Sequence, residues 1–301
     1  MKTIRVILNG KGAANPQVRA AILKIREDGQ PLEVNCTWEG GDAARFAQEA
    51  MNDGVEVLIA GGGDGTINEV VNGVLATDTS PSMALGVLPL GTANDFARGC
   101  GIPLEPYKAL KLATEGEPVS IDIPSANGVY FANVASGGFG AEVTVGTNPQ
   151  LKKAMGGGAY ALTGIVTAAK MEPYSGKFVA PDESTEGSFI VMAVGNARQA
   201  GGGFQVTPNA FLDDGLMDVT ALTDFQTKEL GLVISEFQDF ANPDNQFVHY
   251  RQVPGFEIEL TSALPINLDG EPHRWDHITF EILPKCLPVV LPEGCPLISG
   301  A

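Results

Sequence analysis

Residues 55–75 read VEVLIAGGGDGTINEVVNGVL, and this stretch constrains the fold more than any other. Residues 55–60 are apolar except for Glu56, as in a strand buried on both faces of a parallel sheet. Glycines follow, and Val70 and Val74 then recur at helical spacing. Strand, glycine turn and helix make one βα unit, and repeated units of this kind build a parallel sheet covered by helices. The pattern does repeat. IRVILN (4–9) is strand-like, and Asn15-Pro16 reads as the N-cap and first residue of a helix with Val18, Ile22 and Ile25 on one stripe. LEVNCTW (32–38) is the second strand, and Asp42 is expected to cap a helix through Phe46, Ala50 and Met51. The helix after the glycines is expected to begin near Thr66. MALGVLPL (83–90) is the fourth strand, with helices expected from Asn94 and from Pro106.

Past Val119 the pattern changes. VSIDI, VYFANVA, SFIVMAVGN, MDVTAL, NQFVHYR, FEIEL, PINLDG and HITFEIL are short, alternating or β-branched runs separated by turn residues. They predict antiparallel sheets, as in a sandwich. Helical stretches are expected at 151–171 and after Thr227, the latter with Leu230, Val233, Ile234, Phe237 and Phe240 on one stripe. The fold class is therefore an α/β domain with a Rossmann-like parallel sheet, residues 1–122, followed by an antiparallel β-sandwich domain, residues 123–285.

With 301 residues, 44% apolar and 18% charged, the chain has enough apolar sequence for two cores. No apolar run approaches the roughly 20 residues that span a bilayer. The N-terminus does not read as a signal peptide, so a cytoplasmic location is expected. The net charge of −17 argues against a nucleic-acid partner and against general attraction to anionic membranes, leaving room for a local, transient membrane contact. Cys36, Cys100, Cys286 and Cys295 have no CxxC spacing and read as free thiols.

In an open parallel sheet, ligands gather beyond the carboxyl ends of the strands. Those ends carry Asn9-Gly10-Lys11, Thr37, Gly61–Thr66 and Pro89–Thr92, all small, polar or glycine-bearing. Neither familiar phosphate motif fits. A GxGxxG from Gly61 would need glycine where Thr66 stands, and a P-loop on GVLPLGT would need lysine where Thr92 stands. An anion site still follows from backbone N–H groups and the positive end of the next helix. In that setting Asp64 reads as a Mg²⁺ partner, a proton acceptor or a simple cap, and Glu69 as a first-turn acid favoured by the helix dipole.

GGGDGTINEVVNG (61–73) and PLGTANDFARG (89–99) resemble the diacylglycerol-kinase catalytic family, which includes sphingosine and ceramide kinases. GGGFQVTPNAFLDDGLMDV (201–219) and INLDGEP (266–272) resemble two further motifs of that family, in order. TWEGGDAARFA (37–47) and GNARQAGGG (195–203) bring the resemblance to its bacterial YegS-like lipid kinases. The resemblance implies ATP as co-substrate, bound by Thr37, the loop Gly63, Asp64, Gly65, Thr66, Ile67, Asn68 and Glu69, and Thr92. It implies Glu271 as acceptor of a lipid hydroxyl proton, with Asp64 as its competitor for that role. It implies a divalent ion, Mg²⁺ or else Ca²⁺, on the carbonyls of Phe211 and Leu216 and the side chain of Asp214. It also implies that 286–301 returns to the first domain.

From the residues alone, Asp269 and Glu271 flank a glycine at a strand end, and extended backbone would aim both to one side. NAFLDDGLMD (209–218) offers oxygen donors to a hard cation, though it also reads as an Asp-Gly turn. His273 and His277 have HxxxH spacing, but in strand-like sequence without HExxH. Lys152, Lys153 and Lys170 bracket a small and apolar stretch suited either to a packed helix or to the edge of a lipid cleft. Two other readings stay open: a kinase of a soluble hydroxyl acceptor, as in NAD kinases, and a nucleotide- or lipid-binding module without turnover. Neither the acceptor lipid nor the oligomeric state is encoded in a motif.

Overall fold

The computed structural model describes residues 2–138 and 171–300. Apart from Met171, the expected helix over 151–171 lies outside the described residues, as do its three lysines. The first half is built from β1 (Ile4–Leu8), α1 (Gly10–Ala13), α2 (Pro16–Glu27), β2 (Leu32–Cys36), α3 (Asp42–Asn52), β3 (Val57–Gly62), α4 (Asp64–Leu75), β4 (Ala84–Pro89), α5 (Asp95–Gly99) and α6 (Pro106–Glu115). The four strands are parallel in the order β2-β1-β3-β4. Alternate residues of each strand face opposite layers. Ile4, Val6, Leu8, Val57 and Ile59 pack against α2 and α6, while Ile7, Leu58 and Ala60 pack against α3 and α4. Each such aliphatic side chain contributes roughly 1.5–3 kcal/mol when fully buried.

The second half is antiparallel and sandwich-like. It comprises β5 (Pro118–Ala126), β6 (Val129–Tyr130), β7 (Val134–Gly138), β8 (Tyr174–Ala180), β9 (Glu183–Phe189), β10 (Val191–Gly195), β11 (Gln199–Ala200), β12 (Phe204–Gln205), β13 (Met217–Leu222), α7 (Leu230–Glu236), β14 (Val248–Val253), β15 (Gly255–Leu268) and β16 (Glu271–Val290). The two halves share one sheet, which runs β14-β13-β10-β7-β15-β16-β4-β3-β1-β2. β16 makes the link. It pairs antiparallel with β15 and β5, and near its end Val289 pairs parallel with Leu85 of β4. The chain then continues into the first core, where Leu291, Cys295 and Leu297 are buried.

Four local expectations are corrected. β2 stops at Cys36, which frees Thr37 and Trp38 for the following loop. Gly41, with φ +86°, holds the N-cap position of α3, and Asp42 is the first helical residue. α4 begins at Asp64, two residues before Thr66. The helix after Thr227 is a 3₁₀ turn, Thr227–Glu229, followed by α7, and it ends before Phe237 and Phe240, which pack instead against a small cluster around Val233. All four cysteines are free thiols.

Candidate active site

The glycines of the GGGDG loop serve close packing. A Cβ on Gly91 would lie 2.5 Å from the Cα of Gly63, so the loops after β3 and β4 touch backbone to backbone. None of residues 61–65 has a positive φ. α4 then starts with no side chain capping it; the N–H groups of Thr66 and Ile67 bond to the Gly63 carbonyl at 3.0 and 3.1 Å. Its first turn therefore presents backbone N–H groups and the positive end of a 12-residue helix.

Asp64 sits in this turn, with both carboxylate oxygens engaged. They accept the N–H groups of Asp95 at 3.2 Å and Phe96 at 3.1 Å, so Asp64 caps α5 from outside. The α5 entry is also fixed by Asn94 (φ +51°), whose side-chain oxygen accepts the Gly91 N–H at 2.8 Å and whose amide donates to the Gly91 carbonyl at 3.0 Å. Thr92 stands exposed on that turn.

A cleft of about 280 Å³ opens beside α4, lined by Asn9, Gly10, Thr37, Trp38, Glu39, Gly40, Ala43, Thr66 and Glu69. Three of the expected nucleotide residues, Thr37, Thr66 and Glu69, thus share one cavity. Glu69 also accepts the Gly41 N–H at 3.1 Å, and Asp42 accepts those of Trp38 at 2.8 Å and Glu39 at 3.2 Å. The Trp38 amide, then the Arg45 guanidinium at 2.7 Å and the Glu39 amide, hold the Asp42 carboxyl at about 2. Two other expected residues face elsewhere. Ile67 is buried in the first core. Asn68 is buried and donates to the Tyr130 carbonyl at 2.9 Å and to Asp269 at 3.3 Å, tying α4 to the second half.

The DGE turn completes the site from the other side. Leu268 and Glu271 pair across a two-residue turn in which Asp269 has φ +51° and Gly270 φ +110°. Strand alternation does not carry through this left-handed backbone, so the two acids part, contrary to the expectation of a shared side. Asp269 turns inward and accepts the N–H groups of Ala132 at 2.6 Å and of Asn133 and Val134 at 3.0 Å each. Burial lifts its carboxyl to about 6, against the pull of these donors. Glu271 remains exposed, and its Oε1 lies 3.5 Å from where a Cβ on Gly65 would stand. A free carboxylate is thus held over the first turn of α4 by a clamp made from its neighbour two residues earlier.

Phe211, Asp214 and Leu216 lie together on the turn before β13. Asp214 accepts the Leu216 N–H at 3.0 Å. Burial, followed by the charges of Asp122 and Asp213, raises its carboxyl. Asp122 is fully buried and accepts the Gly215 N–H at 2.7 Å and the Lys285 N–H at 2.6 Å. One carboxylate and two backbone carbonyls make a hard oxygen set, the chemistry that suits a divalent ion of the Mg²⁺ or Ca²⁺ type. Among the described residues no group of three or more His, Cys, Asp or Glu is arranged to hold a metal, and His273 instead stacks on Trp275 at 4.7 Å.

The family model for the diacylglycerol kinase catalytic domain matches residues 3–126. The model for the YegS C-terminal NAD kinase beta sandwich-like domain matches residues 133–291. The chain belongs to the YegS-like branch of the diacylglycerol kinase family. Within it, a Chromohalobacter salexigens protein named "Probable lipid kinase YegS-like" is 46% identical over 98% of this chain and 94% of its own length. A Shewanella frigidimarina protein of the same name is 42% identical over 98% and 96%. A crystal structure described as a diacylglycerol kinase from Bacillus anthracis covers 97% of this chain and 98% of its own, with a TM-score of 0.74 at 24% identity. Another Bacillus anthracis structure reaches 0.79 at 23% identity, covering 98% of both chains. At these identities the structures show the shared fold.

Asn9 and Trp38 also line the cleft, and Asn94 fixes the turn beside it, in addition to the residues expected to bind the nucleotide. Asn9 had a signal in its position between a strand and a glycine, where a side-chain oxygen caps α1 through the Gly12 N–H at 2.7 Å. For Asn94 the sequence marks a helix start, but its left-handed conformation is a property of the folded turn.

Proposed function

We propose that the chain is a lipid kinase that transfers the γ-phosphoryl group of ATP to a lipid hydroxyl with Mg²⁺ present. The observation that carries this reading is Glu271, an exposed carboxylate at the DGE turn lying beside Gly65 at the uncapped start of α4. Phosphates have their natural place on the N–H groups of Gly63, Asp64 and Gly65, next to the cleft lined by Thr37, Thr66 and Glu69 and close to the Gly91-Thr92 turn that touches Gly63. Ile67 and Asn68, with buried side chains, serve through the backbone and through the shape they give α4. The hydroxyl oxygen attacks the γ-phosphorus, the bond to the β–γ bridging oxygen breaks, and ADP leaves. Glu271 accepts the hydroxyl proton. Asp64, committed to α5, keeps the two glycine loops in register and so orients the phosphates.

A bound divalent ion would supply positive charge among carboxylates and phosphates, and Asp214 with the carbonyls of Phe211 and Leu216 is the set suited to hold one. The lipid acceptor is inferred from the relatives named as lipid kinases. Among the described residues no helix is long and apolar enough to cross a membrane, and the reading is of a cytoplasmic enzyme that meets its membrane substrate transiently. Incubation with γ-labelled ATP, Mg²⁺ and a panel of lipids, followed by chromatography of the organic phase, tests it. Label in one lipid product, lost with Glu271→Gln, is the expected result. Label appearing only on water-soluble acceptors, or in none, would end the lipid-kinase reading.

A further inference from the structure

Trp38 is 95% exposed, although a tryptophan placed for stability buries most of its large apolar surface. Its backbone, by contrast, is firmly held. Asp42 accepts the N–H groups of Trp38 and Glu39, and Glu69 of α4 accepts that of Gly41. The loop is thus anchored to two helices while the ring does no packing. Trp38 is also one of the residues lining the cleft, together with Thr66 in the first turn of α4.

From this arrangement we infer that Trp38 is the stacking platform for the nucleobase of the bound nucleotide, and sets a preference for purines. The inference rests on the phosphate site proposed for the first turn of α4 and deepens it. A nucleotide with its phosphates there and its sugar in the cleft carries its base out to the rim, where Trp38 stands. An aromatic ring offers a base a sequence-tolerant contact that needs no hydrogen bonds, and the larger purine ring gains more from it. The surroundings disfavour the other familiar use of an exposed tryptophan, insertion at a membrane surface. Glu39 and Glu69 line the same cleft, Asp42 lies beneath the loop, and the whole chain carries −17. An anionic lipid surface would be repelled there, whereas a neutral base is not.

The chain has two tryptophans, so Trp275→Phe leaves Trp38 as the sole emitter. In that variant ATP should quench the fluorescence saturably, while inorganic tripolyphosphate should compete with ATP without quenching. In the otherwise native chain, Trp38→Ala should raise the KM for ATP about tenfold with kcat changed less than about twofold, and Trp38→Phe should recover most of the loss. The advantage of ATP over CTP should narrow in Trp38→Ala, and tripolyphosphate affinity should stay as in the native protein. Calorimetric titration with ATP gives the same comparison without any acceptor, so it remains decisive even if no lipid is phosphorylated. An unchanged ATP affinity in Trp38→Ala would overturn the inference. So would an equal loss for tripolyphosphate, which would make Trp38 a shaper of the phosphate loop. Reduced binding of Trp38→Ala to phosphatidylglycerol vesicles with ATP binding intact would assign the ring to the membrane instead.

Discussion

Asp269 and Glu271 are two residues apart and chemically alike, yet the turn between them gives them opposite work. Asp269 is half-buried and held by three backbone donors, and Glu271 is exposed above the start of α4. Glu271→Gln should therefore lower kcat by about 10²- to 10⁴-fold, the usual range for a general base, with an unchanged melting curve. Turnover near the native rate would remove Glu271 from the chemistry. Asp64 is different because both its oxygens hold α5. Asn keeps one acceptor and loses the charge that favours the N-terminal end of α5, so Asp64→Asn should cost about 1–2 kcal/mol in urea titration as well as most of the activity. If stability were unaffected while activity vanished, Asp64 would belong to the reaction itself.

At the level of elements, β13 and β14 are joined by a buried acid. Asp218 accepts from the Tyr250 hydroxyl and from the Gln252 amide at 3.3 Å, and burial lifts its carboxyl to about 7. Asp269 is lifted in the same direction, to about 6. Both groups start from 3.8, so across this window the native state keeps protons that the unfolded chain has released. Stability should then fall as pH rises from about 4 to about 7 and level off above that. Asp42, held at about 2, acts oppositely and only at lower pH. Asp218→Asn keeps an acceptor for both donors and cannot ionise, so its urea midpoint should fall less than the native one between about pH 5 and about pH 8. The same slope in both proteins would clear Asp218 as its source. These elements differ in how openly the sequence announces them. β3 and β4 were legible because both faces are buried, which leaves a continuous apolar run. α1 was not, since a single turn of Gly-Lys-Gly-Ala has neither periodicity nor propensity and exists because Asn9 caps it. The site divides along similar lines. Glycine loops and the DGE motif announce themselves by composition, whereas the inward turn of Asp269 and the bridging role of Asn68 depend on contacts between residues far apart in sequence.

Across the whole molecule, the decisive element is β16. It starts at Glu271, runs 20 residues through the antiparallel half, and finishes beside β4 in the parallel half. The position of the carboxylate over α4 is therefore tied to the register of one strand that both halves share, backed by Asn68 and Asn72, which hold the main chain of Tyr130 from α4. No sequence pattern reports a pairing as distant as Val289 with Leu85, so two separate sheets were the natural expectation. A shared sheet has a thermodynamic consequence. Separating the halves would strip β4 of its neighbour and expose Leu287, Val289, Leu291 and Leu297, all buried in the first core. Those side chains are worth roughly 1.5–3 kcal/mol each, comparable together to the whole stability of a typical domain. The protein should accordingly unfold in urea in one transition, with the fluorescence of Trp275, which packs on the core of the second half, coinciding with far-ultraviolet circular dichroism, which is dominated by the helices of the first. Deleting residues 286–301 should abolish that transition for both halves together rather than free the β-sandwich alone. Two resolved transitions in the intact chain, or a truncated form whose second half still melts cooperatively, would mean that β16 passes through two independent bodies instead of joining them.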